Sequence, residues 1–363
     1  MFDDFYKGKR VLVTGETGFK GSWLSIWLRE LGADVTGYSI GPPSKPNQFE
    51  SCSLGERIQS VHGDIRDKDR LRRVMTERRP QIVFHLAAQA VVRVSYEEPE
   101  RTFETNAMGT ANLLEAVRHT PDVKVVINVT SDKCYENREW IWGYRESDPL
   151  GGRDPYSGSK ACAEIIFSAY LHSFLVPAAI GAASVRAGNV IGGGDWGRDR
   201  LVPDCIRAWS SGETVRIRMP GAVRPWQHVL EPLSGYLYLA SLLWRAPQRY
   251  SGPWNFGAGS AEGVAVRQVV TQMSELWGSG KWEEKSMDKD PHEANSLLIC
   301  TDKANRELGW KCLLHFSQAL RMTIEWYKRF YGGKTRPCMY EACCRQIQEY
   351  SEKARNAGLP WAM

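Results

Sequence analysis

The sequence lacks the features that mark several large classes of protein. It has no apolar stretch long enough to span a bilayer, and its first residues, MFDDFYKGKR, lack the hydrophobic core of a signal peptide. Its 47 basic and 42 acidic side chains leave a formal net charge of only +5, which gives no reason to expect a nucleic-acid partner. We therefore expect a cytoplasmic protein that binds neither membranes nor nucleic acid.

Cysteine patterning is also lacking, although cysteine itself is present. None of the nine cysteines belongs to a CxxC pair, and Cys343 and Cys344 are adjacent, which suits neither a zinc site nor a regular disulfide framework. Internal repeats and low-complexity linkers are absent as well. We expect reduced thiols that mostly serve packing, and no metal site.

What is present is an alternation of short β-branched runs with segments of helical length. Predicted strands are RVLVT (10–14), DVTGYSI (34–40), IQSVHGDI (58–65), QIVFHLA (81–87), VKVVINVTS (123–131) and AAIGAASVRA (178–187); predicted helices cover 19–31, 67–78, 101–118 and 156–174. This alternation predicts an α/β fold built on a parallel, helix-covered sheet.

A glycine-rich turn, TGETGFKGSW, follows the first predicted strand. Glycines there let the backbone approach a pyrophosphate, which the N–H groups of the next helix then meet. The same pattern also occurs in tight turns that bind nothing, but its position favours a Rossmann-type doubly wound sheet with a dinucleotide site. The predicted cofactor-binding residues are Gly15, Thr17, Gly18, Phe19, Lys20, Gly21, Asp64, Ile65, Leu86, Ala87 and Ala88, together with Tyr156 and Lys160.

The end of the second strand bears on the choice of cofactor. It reads Tyr38-Ser39, with no carboxylate for a ribose 2′-hydroxyl and no arginine for a 2′-phosphate, so NAD is favoured and NADP is the alternative. Glu16, inside the glycine turn, should repel the pyrophosphate unless it points away or pairs with Lys20 or another cation. On this basis we expect a weakly held or readily exchanged cofactor.

Tyr156 and Lys160, in DPYSGSK, lie four residues apart on one face of the helix after the fifth strand. A nearby ammonium and a cationic nicotinamide ring would stabilise the Tyr156 phenolate as the base for a substrate alcohol, which Ser131 could also hydrogen-bond. A YxxxK pattern alone also occurs on surface helices by chance. Its combination with the glycine turn and Ser131 favours hydride transfer.

With these motifs the chain resembles the extended short-chain dehydrogenase/reductase family over nearly its whole length, and within it the NAD-dependent nucleotide-sugar 4,6-dehydratases that act on CDP-glucose. The specific segments are RAGNVIGGGDWGRDRLVPDCIRAW (186–209) and RPWQHVLEPLSGYL (224–237). The resemblance implies a hydro-lyase that oxidises the sugar at C4, eliminates water across C5 and C6, and returns the hydride to C6. It also implies a role in deoxysugar and lipopolysaccharide O-antigen biosynthesis.

The resemblance also assigns roles to the segment VTSDKCY (129–135). Asp132 would be the general acid for the departing C6 oxygen, and Lys133 either the base for C5 or an electrostatic stabiliser of the enolate or a phosphate. Implied substrate contacts are Asn189, Leu201, Arg218, Arg224 and His292. Leu201 is equally compatible with helix packing, and a lone loop histidine is more often an ordinary surface residue. Glu16 and Gly158 depart from the branch, which usually has histidine and asparagine there.

Domain division and assembly are the last predictions. Beyond GNVIGGGDWG the composition shifts to shorter helices and Trp- and Pro-rich turns, so residues 1–187 are expected to form the NAD-binding domain. Residues 188–363 would form mainly a smaller mixed α/β substrate lobe, with some segments returning to the sheet, a strand at 296–301 and an amphipathic helix beyond 334. The resemblance implies a homodimer or homotetramer that pairs through 101–118 and 156–174.

Three other functions remain open. A sugar-nucleotide 4-epimerase shares Tyr156 and Lys160 but needs no acid/base pair for elimination, so Asp132-Lys133 argues against it. A sugar-nucleotide 4-reductase would consume NADPH stoichiometrically. A non-catalytic nucleotide-binding protein would not need the intact set of Ser131, Tyr156 and Lys160.

Overall fold

A computed structural model describes residues 1–258, 263–284, 297–333 and 337–363. Its strands are β1 (Arg10–Thr14), β2 (Asp34–Ser39), β3 (Gln59–His62), β4 (Ile82–His85), β5 (Val125–Val129), β6 (Gly181–Arg186), β7 (Val190–Ile191), β8 (Thr214–Ile217), β9 (Val223–Arg224), β10 (Gln227–His228), β11 (Gly252–Asn255), β12 (Val264–Ala265) and β13 (Lys281–Glu284).

The α-helices are α1 (Phe19–Glu30), α2 (Gln48–Ser51), α3 (Lys68–Arg78), α4 (Val92–Glu97), α5 (Pro99–Phe103), α6 (Gly109–Arg118), α7 (Pro155–Tyr170), α8 (Leu201–Ser210), α9 (Leu230–Arg245), α10 (Pro247–Tyr250), α11 (Val266–Trp277), α12 (Phe316–Tyr331) and α13 (Tyr340–Asn356). Short 3-10 turns cover Phe2–Asp4, Leu54–Glu56, Asp132–Cys134 and Pro360–Ala362; π turns cover Glu104–Met108, Leu171–Leu175 and Ala304–Leu308. Within these described ranges no helix is both long and apolar enough to cross a membrane.

The main sheet has seven parallel strands in the order β11-β6-β5-β4-β1-β2-β3. The order reverses at β1, which lies between β2 and β4, so the predicted doubly wound α/β fold is confirmed. All six predicted strands are present within the predicted ranges. The seventh, β11, comes from the C-terminal half of the chain and pairs with β6 at the edge of the sheet.

Each face of the sheet is covered by its own hydrophobic core. Val11 and Val13 of β1 pack into one cluster, whereas Leu12 packs into the other, because successive side chains of a strand point to opposite faces. Full burial of one such side chain contributes about 1.5–3 kcal/mol. The sheet is therefore buried on both sides and presents its strand ends as the exposed edge for a site.

The predicted helices match the structure at 19–31 and 67–78, and they differ at the other two. The segment expected as one helix over 101–118 is divided into α5, the π turn Glu104–Met108 and α6. The helix expected over 156–174 begins at Pro155, where Asp154 caps it by accepting a hydrogen bond from the Ser157 N–H. It ends at Tyr170 and continues as a π turn.

The C-terminal segment forms the predicted amphipathic helix, α13, which packs on α1. Trp361 stacks on Tyr350 with ring centroids 5.5 Å apart and meets Trp27 of α1 edge-on at 6.0 Å. The strand expected over 296–301 is wrong for the described residues 297–301, where Ile299 forms an isolated bridge with Tyr144. All nine cysteines lie in the described part of the chain and are free.

Candidate active site

The glycine turn has the geometry of a phosphate-binding turn. Gly15 has φ +75°, and a Cβ there would lie 2.7 Å from the backbone nitrogen of Ala87, so only glycine lets β1 and the end of β4 approach so closely. A Cβ at Gly21 would overlap the carbonyl oxygen of Gly15. Gly18 precedes α1 without a side-chain cap in the described structure, so the first N–H groups of α1 are available to an anion.

The end of β4 is fixed by buried polar contacts. Thr14 accepts hydrogen bonds from the backbone N–H groups of Leu86 and Ala87, both at 3.2 Å, and its Oγ1 lies 2.7 Å from Nδ1 of His85. Burial, and secondly the charge of Lys160, lowers the pKa of His85 to about 3, so this histidine is a neutral structural residue. Leu86, Ala87 and Ala88 are half-buried at the strand end, where the prediction places them.

The two predicted residues after β3 differ in their surroundings. The Asp64 carboxylate is paired with Arg66 at 2.7 Å, and this pairing lowers the pKa of Asp64. Ile65 is buried in a hydrophobic core and packs against Gly109. The roles of Asp64 and Ile65 in binding a cofactor stay predictions.

Glu16 and Lys20 leave the glycine turn in different directions. The charged groups that act on Lys20 are Arg200, Asp132, Lys160 and Asp195, so Lys20 faces the catalytic side; burial is the main cause that lowers its pKa to about 8. Glu16 instead bonds to Ser39 and Ser60 on β2 and β3. Of the two exceptions considered for Glu16, pointing away and pairing with Lys20, the structure has the first.

The carboxyl end of β5 carries Ser131, Asp132 and Lys133 in a 3-10 turn. The Ser131 hydroxyl donates a hydrogen bond to Asp132 Oδ1 at 2.9 Å and accepts one from the Lys133 N–H at 3.2 Å. Asp132 is only 6% exposed. Gly188 makes room for it, because a Cβ at that position would overlap the carboxylate. Ser131 therefore fixes one carboxyl oxygen while Gly188 leaves space at the other.

Tyr156 and Lys160 project from the first turns of α7 toward this group. They are 8% and 5% exposed. Burial raises the pKa of Tyr156 to about 12, while a hydrogen bond with Ser131 and the charge of Arg200 oppose that rise. Burial also lowers the pKa of Lys160 to about 8, opposed by Glu164. The structure thus brings together Ser131, Asp132, Tyr156 and Lys160, as the motifs predicted.

A buried ion pair that was not predicted from the sequence lies next to the segment that carries Ser131 and Asp132. Arg186 and Glu164 lie 2.7 Å apart with side chains 3% and 2% exposed. Glu164 also accepts hydrogen bonds from Thr130 and Ser184, and Arg186 donates to the Tyr135 hydroxyl at 2.7 Å. The pair connects α7, β6 and the segment after β5. Its only sequence signal is the spacing of Glu164 from Lys160, one further turn along the same helix face.

Arg200 is a second missed residue. It forms a 2.9 Å ion pair with Asp195, and its charge acts on both Tyr156 and Lys20. The segment that carries it is fixed against α1, since the Trp23 indole donates to the carbonyl of Gly193 at 2.8 Å. The run GGGDWGRDR held a signal, a cation beside a glycine-rich stretch, but nothing in the sequence places it beside Tyr156.

The predicted substrate contacts have varied surroundings. Asn189 has φ +51° and its carbonyl accepts a hydrogen bond from the Gln227 N–H. Leu201 begins α8 and packs against the large core. Arg218 approaches Asp199 at 4.0 Å, and Arg224 in β9 donates to the Val223 carbonyl at 2.9 Å. His292 lies outside the described residues.

Arg93, in the stretch AAQAVVRVSYEEP (87–99), is a further cation that was not predicted to be part of the site. Its Nε lies 3.4 Å from the same carboxylate of Asp199 that faces Arg218. Two guanidinium groups from separate parts of the chain therefore converge on one anionic group.

Among the described residues, no group of three or more His, Cys, Asp and Glu side chains is arranged to hold a metal ion. The chemistry of the site is that of hydroxyl, carboxyl, ammonium and guanidinium groups around a phosphate-binding turn.

Fold and site together define a member of the short-chain dehydrogenase/reductase class that modifies nucleotide sugars. The chain belongs to the GDP-mannose 4,6-dehydratase family, whose model matches residues 12–323. It is 48% identical over 352 residues to the CDP-glucose 4,6-dehydratase of Salmonella typhimurium, with 96% of this chain and 97% of that enzyme covered. The family resemblance inferred from the motifs is confirmed.

Solved structures show the same fold. A UDP-glucose 4-epimerase from Thermus thermophilus in complex with NAD is 28% identical and superposes with a TM-score of 0.75, covering 88% of this chain and 99% of that chain. A dTDP-glucose 4,6-dehydratase from Streptomyces venezuelae with NAD bound is 24% identical, with a TM-score of 0.76 and coverage of 89% and 98%. At that identity the second likeness concerns the fold alone.

Proposed function

We propose that this protein is a CDP-glucose 4,6-dehydratase, an NAD-dependent hydro-lyase that converts CDP-glucose to CDP-4-keto-6-deoxyglucose. The observation that carries the proposal is the position of Asp132 and Lys133 at the carboxyl end of β5, in the turn that Ser131 begins. An acid and a candidate base beside hydride-transfer residues suit elimination, which a 4-epimerase does not perform. Identity of 48% to a CDP-glucose 4,6-dehydratase over 96% of the chain supports the same conclusion.

The residues of the glycine turn fit NAD, since close backbone approach and free helix N–H groups suit a pyrophosphate. When bound there, NAD⁺ would supply the hydride acceptor for C4 of the sugar and, once reduced, the hydride for C6. Tyr156 takes the proton of the C4 hydroxyl, while Lys160 stabilises the phenolate and Ser131 hydrogen-bonds the same oxygen. Because burial raises the pKa of Tyr156 to about 12, these cationic and hydrogen-bonding partners are needed to make it a base.

Elimination follows once C4 is a ketone, because the neighbouring C5 proton is then acidic. Lys133 takes that proton, and Asp132 donates a proton to the C6 oxygen that leaves as water. Lys133 then returns a proton to C5 when the hydride reaches C6. A second role for Lys133 is electrostatic, as an ammonium beside the enolate. Exchange of the C5 proton with solvent at the wild-type rate in Lys133→Met would exclude the base role.

We assign nucleotide-sugar binding mainly to residues 188–363 and NAD binding to residues 1–187. Asn189 and Arg224 are proposed to contact the diphosphate, Leu201 to border the cytosine, and Arg218 and His292 to contribute further. Guanidinium groups suit this task because they pair with phosphate oxygens in a fixed geometry. Asp199, which faces Arg218, is the anion that an incoming diphosphate would replace.

The test incubates the protein with CDP-glucose and, separately, with dTDP-, UDP- and GDP-sugars, each with and without added NAD⁺. We expect CDP-glucose to lose one water by mass spectrometry and to gain the alkaline absorbance of a 4-keto-6-deoxy sugar, without net NADH. An isomer of unchanged mass would indicate an epimerase. Net formation or consumption of reduced cofactor would indicate a dehydrogenase or reductase.

A homodimer is also proposed, formed through the helices around α5, α6 and α7. Met108 and Ile165 there are 55% and 58% exposed, and Phe103 and Phe174 are also exposed, so this region presents several large apolar side chains that an interface could cover. Ile165→Asp should shift the protein toward monomer in analytical ultracentrifugation. Ile141→Asp, at an even more exposed isoleucine outside these helices, is the matched control. An unchanged sedimentation coefficient for Ile165→Asp would exclude this interface.

We place the enzyme in the cytoplasm. Its reaction would be an early step in the biosynthesis of a deoxysugar. The nine free cysteines are compatible with a reducing compartment.

A further inference from the structure

The adenosine end of the cofactor site lacks a usual component. In dinucleotide-binding folds an acidic side chain at the end of the second strand commonly accepts a hydrogen bond from the ribose 2′-hydroxyl. Here β2 ends at Ser39, and the next residues, Ile40 and Gly41, are uncharged. Any acidic group at this position must come from elsewhere in the chain.

The structure supplies a carboxylate from the glycine turn. The Glu16 side chain lies across Gly37 of β2, where a Cβ would overlap it, so this glycine makes room for the carboxyl group. Glu16 Oε1 accepts hydrogen bonds from Ser39 Oγ at 3.1 Å and from Ser60 Oγ at 2.8 Å. The carboxyl group therefore lies beneath the last residue of β2, in contact with its hydroxyl.

This contact determines what Ser39 presents to a ligand. A serine hydroxyl has one proton to donate and two lone pairs that accept. Because the proton is directed at the Glu16 carboxylate and one lone pair faces the Gly41 N–H at 3.4 Å, what Ser39 can still offer a ligand is one acceptor lone pair. Thr17 is in the same state, since it donates to the Gly41 carbonyl at 2.8 Å while its oxygen lies 3.0 Å from Ser39 Oγ. A ribose 2′-hydroxyl can donate to such a pair, whereas a 2′-phosphate brings only further acceptors and negative charge.

Glu16 itself is fully buried, and its Oε2 has no hydrogen-bond partner among the described residues. A buried carboxyl oxygen without a donor is uncommon in a folded protein and calls for a functional or structural reason. Burial raises the pKa of Glu16, against the lowering effect of the Ser60 and Ser39 hydrogen bonds.

We propose that Glu16 and Ser39 together select NAD over NADP: Ser39 accepts a hydrogen bond from the adenosine ribose, and Glu16 is the positioning residue that orients Ser39 and excludes a 2′-phosphate. The unusual glutamate in the glycine turn thus stands in for the carboxylate that β2 lacks. This inference deepens the cofactor side of the proposed function and rests on it.

The test measures dissociation constants of NAD⁺ and NADP⁺ by calorimetry, without sugar, so that a failure of dehydratase activity leaves the result interpretable. Glu16→Gln removes the charge at constant size, and we expect the preference for NAD⁺ to fall by about tenfold or more, as like-charge repulsion is lost. Ser39→Asp in the Glu16→Gln background returns a carboxylate to the end of β2 and should restore the preference.

Ser60→Ala is the matched control, because it removes a hydrogen bond to the same Glu16 oxygen but leaves both Glu16 and Ser39 in place. It should leave the ratio of the two constants near that of the wild type. An unchanged ratio in Glu16→Gln would overturn the proposal, and so would an equal fall in Ser60→Ala. If Glu16→Gln does not fold, Ser39→Ala removes the proposed acceptor instead, and an unchanged ratio of the two constants in that variant would overturn the proposal.

Discussion

The carboxyl ends of β5 and β2 are built in opposite ways. At β5 the proposed reacting groups are consecutive in the chain, since Ser131 begins a turn that carries Asp132 and Lys133 with it. At β2 the strand ends in an uncharged Ser39, and the carboxylate beside it arrives from Glu16, in the turn that follows β1. A site made of neighbours in sequence is visible as a motif, whereas a site assembled by folding is visible only in the structure.

The largest expected effect concerns the site at the carboxyl end of β5. Tyr156→Phe should reduce turnover of CDP-glucose by about 10²–10⁴-fold, because the proposed base for the C4 hydroxyl is lost while the ring that packs in the site remains. Turnover is measured by the alkaline absorbance of the product. Tyr96→Phe, at an exposed tyrosine on the neighbouring α4, should retain wild-type turnover. A Tyr156→Phe variant as active as that control would remove Tyr156 from the mechanism.

The next effect concerns the buried ion pair of Arg186 and Glu164, which supports the carboxyl end of β5. Arg186→Met leaves Glu164 buried without its partner, which should lower the free energy of unfolding by about 3–5 kcal/mol. Arg138→Met, which breaks an exposed pair with Glu136, should cost about 1 kcal/mol or less. Both are measured by urea denaturation. Equal losses in the two variants would show that burial of the Arg186 pair carries no special weight.

Gly188→Ala tests a contact between distant parts of the chain, because Gly188 makes room for the Asp132 carboxylate although the two residues are far apart in sequence. The added Cβ must displace the carboxyl group, and a shift of this size should slow water elimination by about 10²-fold. Transient NADH formation, which reports C4 oxidation, should fall less. Gly221→Ala adds a Cβ in open space and serves as the control. Equal slowing of both steps would contradict a specific effect on Asp132.

The smallest expected effect is a pH dependence. Burial lowers the pKa of Lys160 to about 8, so its ammonium, which is proposed to stabilise the Tyr156 phenolate, is lost as the pH rises through that value. Turnover should therefore decline above about pH 8, by at most tenfold per pH unit. Stability should change in the opposite direction: between about pH 8 and 10 the unfolded lysine binds more protons than the folded one, so the free energy of unfolding rises with pH.

Lys160→Arg tests whether loss of the Lys160 charge causes the decline in turnover, because a guanidinium keeps its charge over the whole pH range. In that variant the alkaline decline in turnover should move upward or disappear. A decline that stays near pH 8 would assign it to another group.

Most of the sheet could be predicted from sequence, because β1 to β5 lie in β-branched runs bounded by turns and helices, and β6 follows a predicted helix. A return of C-terminal segments to the sheet was expected, but the position of β11 was missed, since Gly252 and Pro253 begin a strand that gains its stability from β6 rather than from its own residues. The helix expected over 101–118 failed for a related reason. Its apolar spacing is helical, but the backbone widens to a π turn at Glu104–Met108. The helix propensities of these residues do not predict such a turn.

In the candidate site, too, some residues could be predicted from sequence motifs and others could not. Ser131, Tyr156 and Lys160 were predicted from motifs, and the structure brings them together. Arg200, Gly188 and the Arg186–Glu164 pair were missed, because their proximity depends on how distant segments pack. Glu16 was noticed, yet its direction could not be chosen: repulsion of a pyrophosphate and support of Ser39 differ only in which way the side chain turns.

The position of β11 has a consequence for synthesis on the ribosome. Until residue 255 has left the exit tunnel, β6 is a bare edge with unpaired N–H and C=O groups, open to strands of other nascent chains. Completing the sheet then requires a contact between segments far apart in sequence, which slows folding. The growing chain should thus depend on chaperones most between emergence of β6 and emergence of β11, and pairing with β11 should end that dependence.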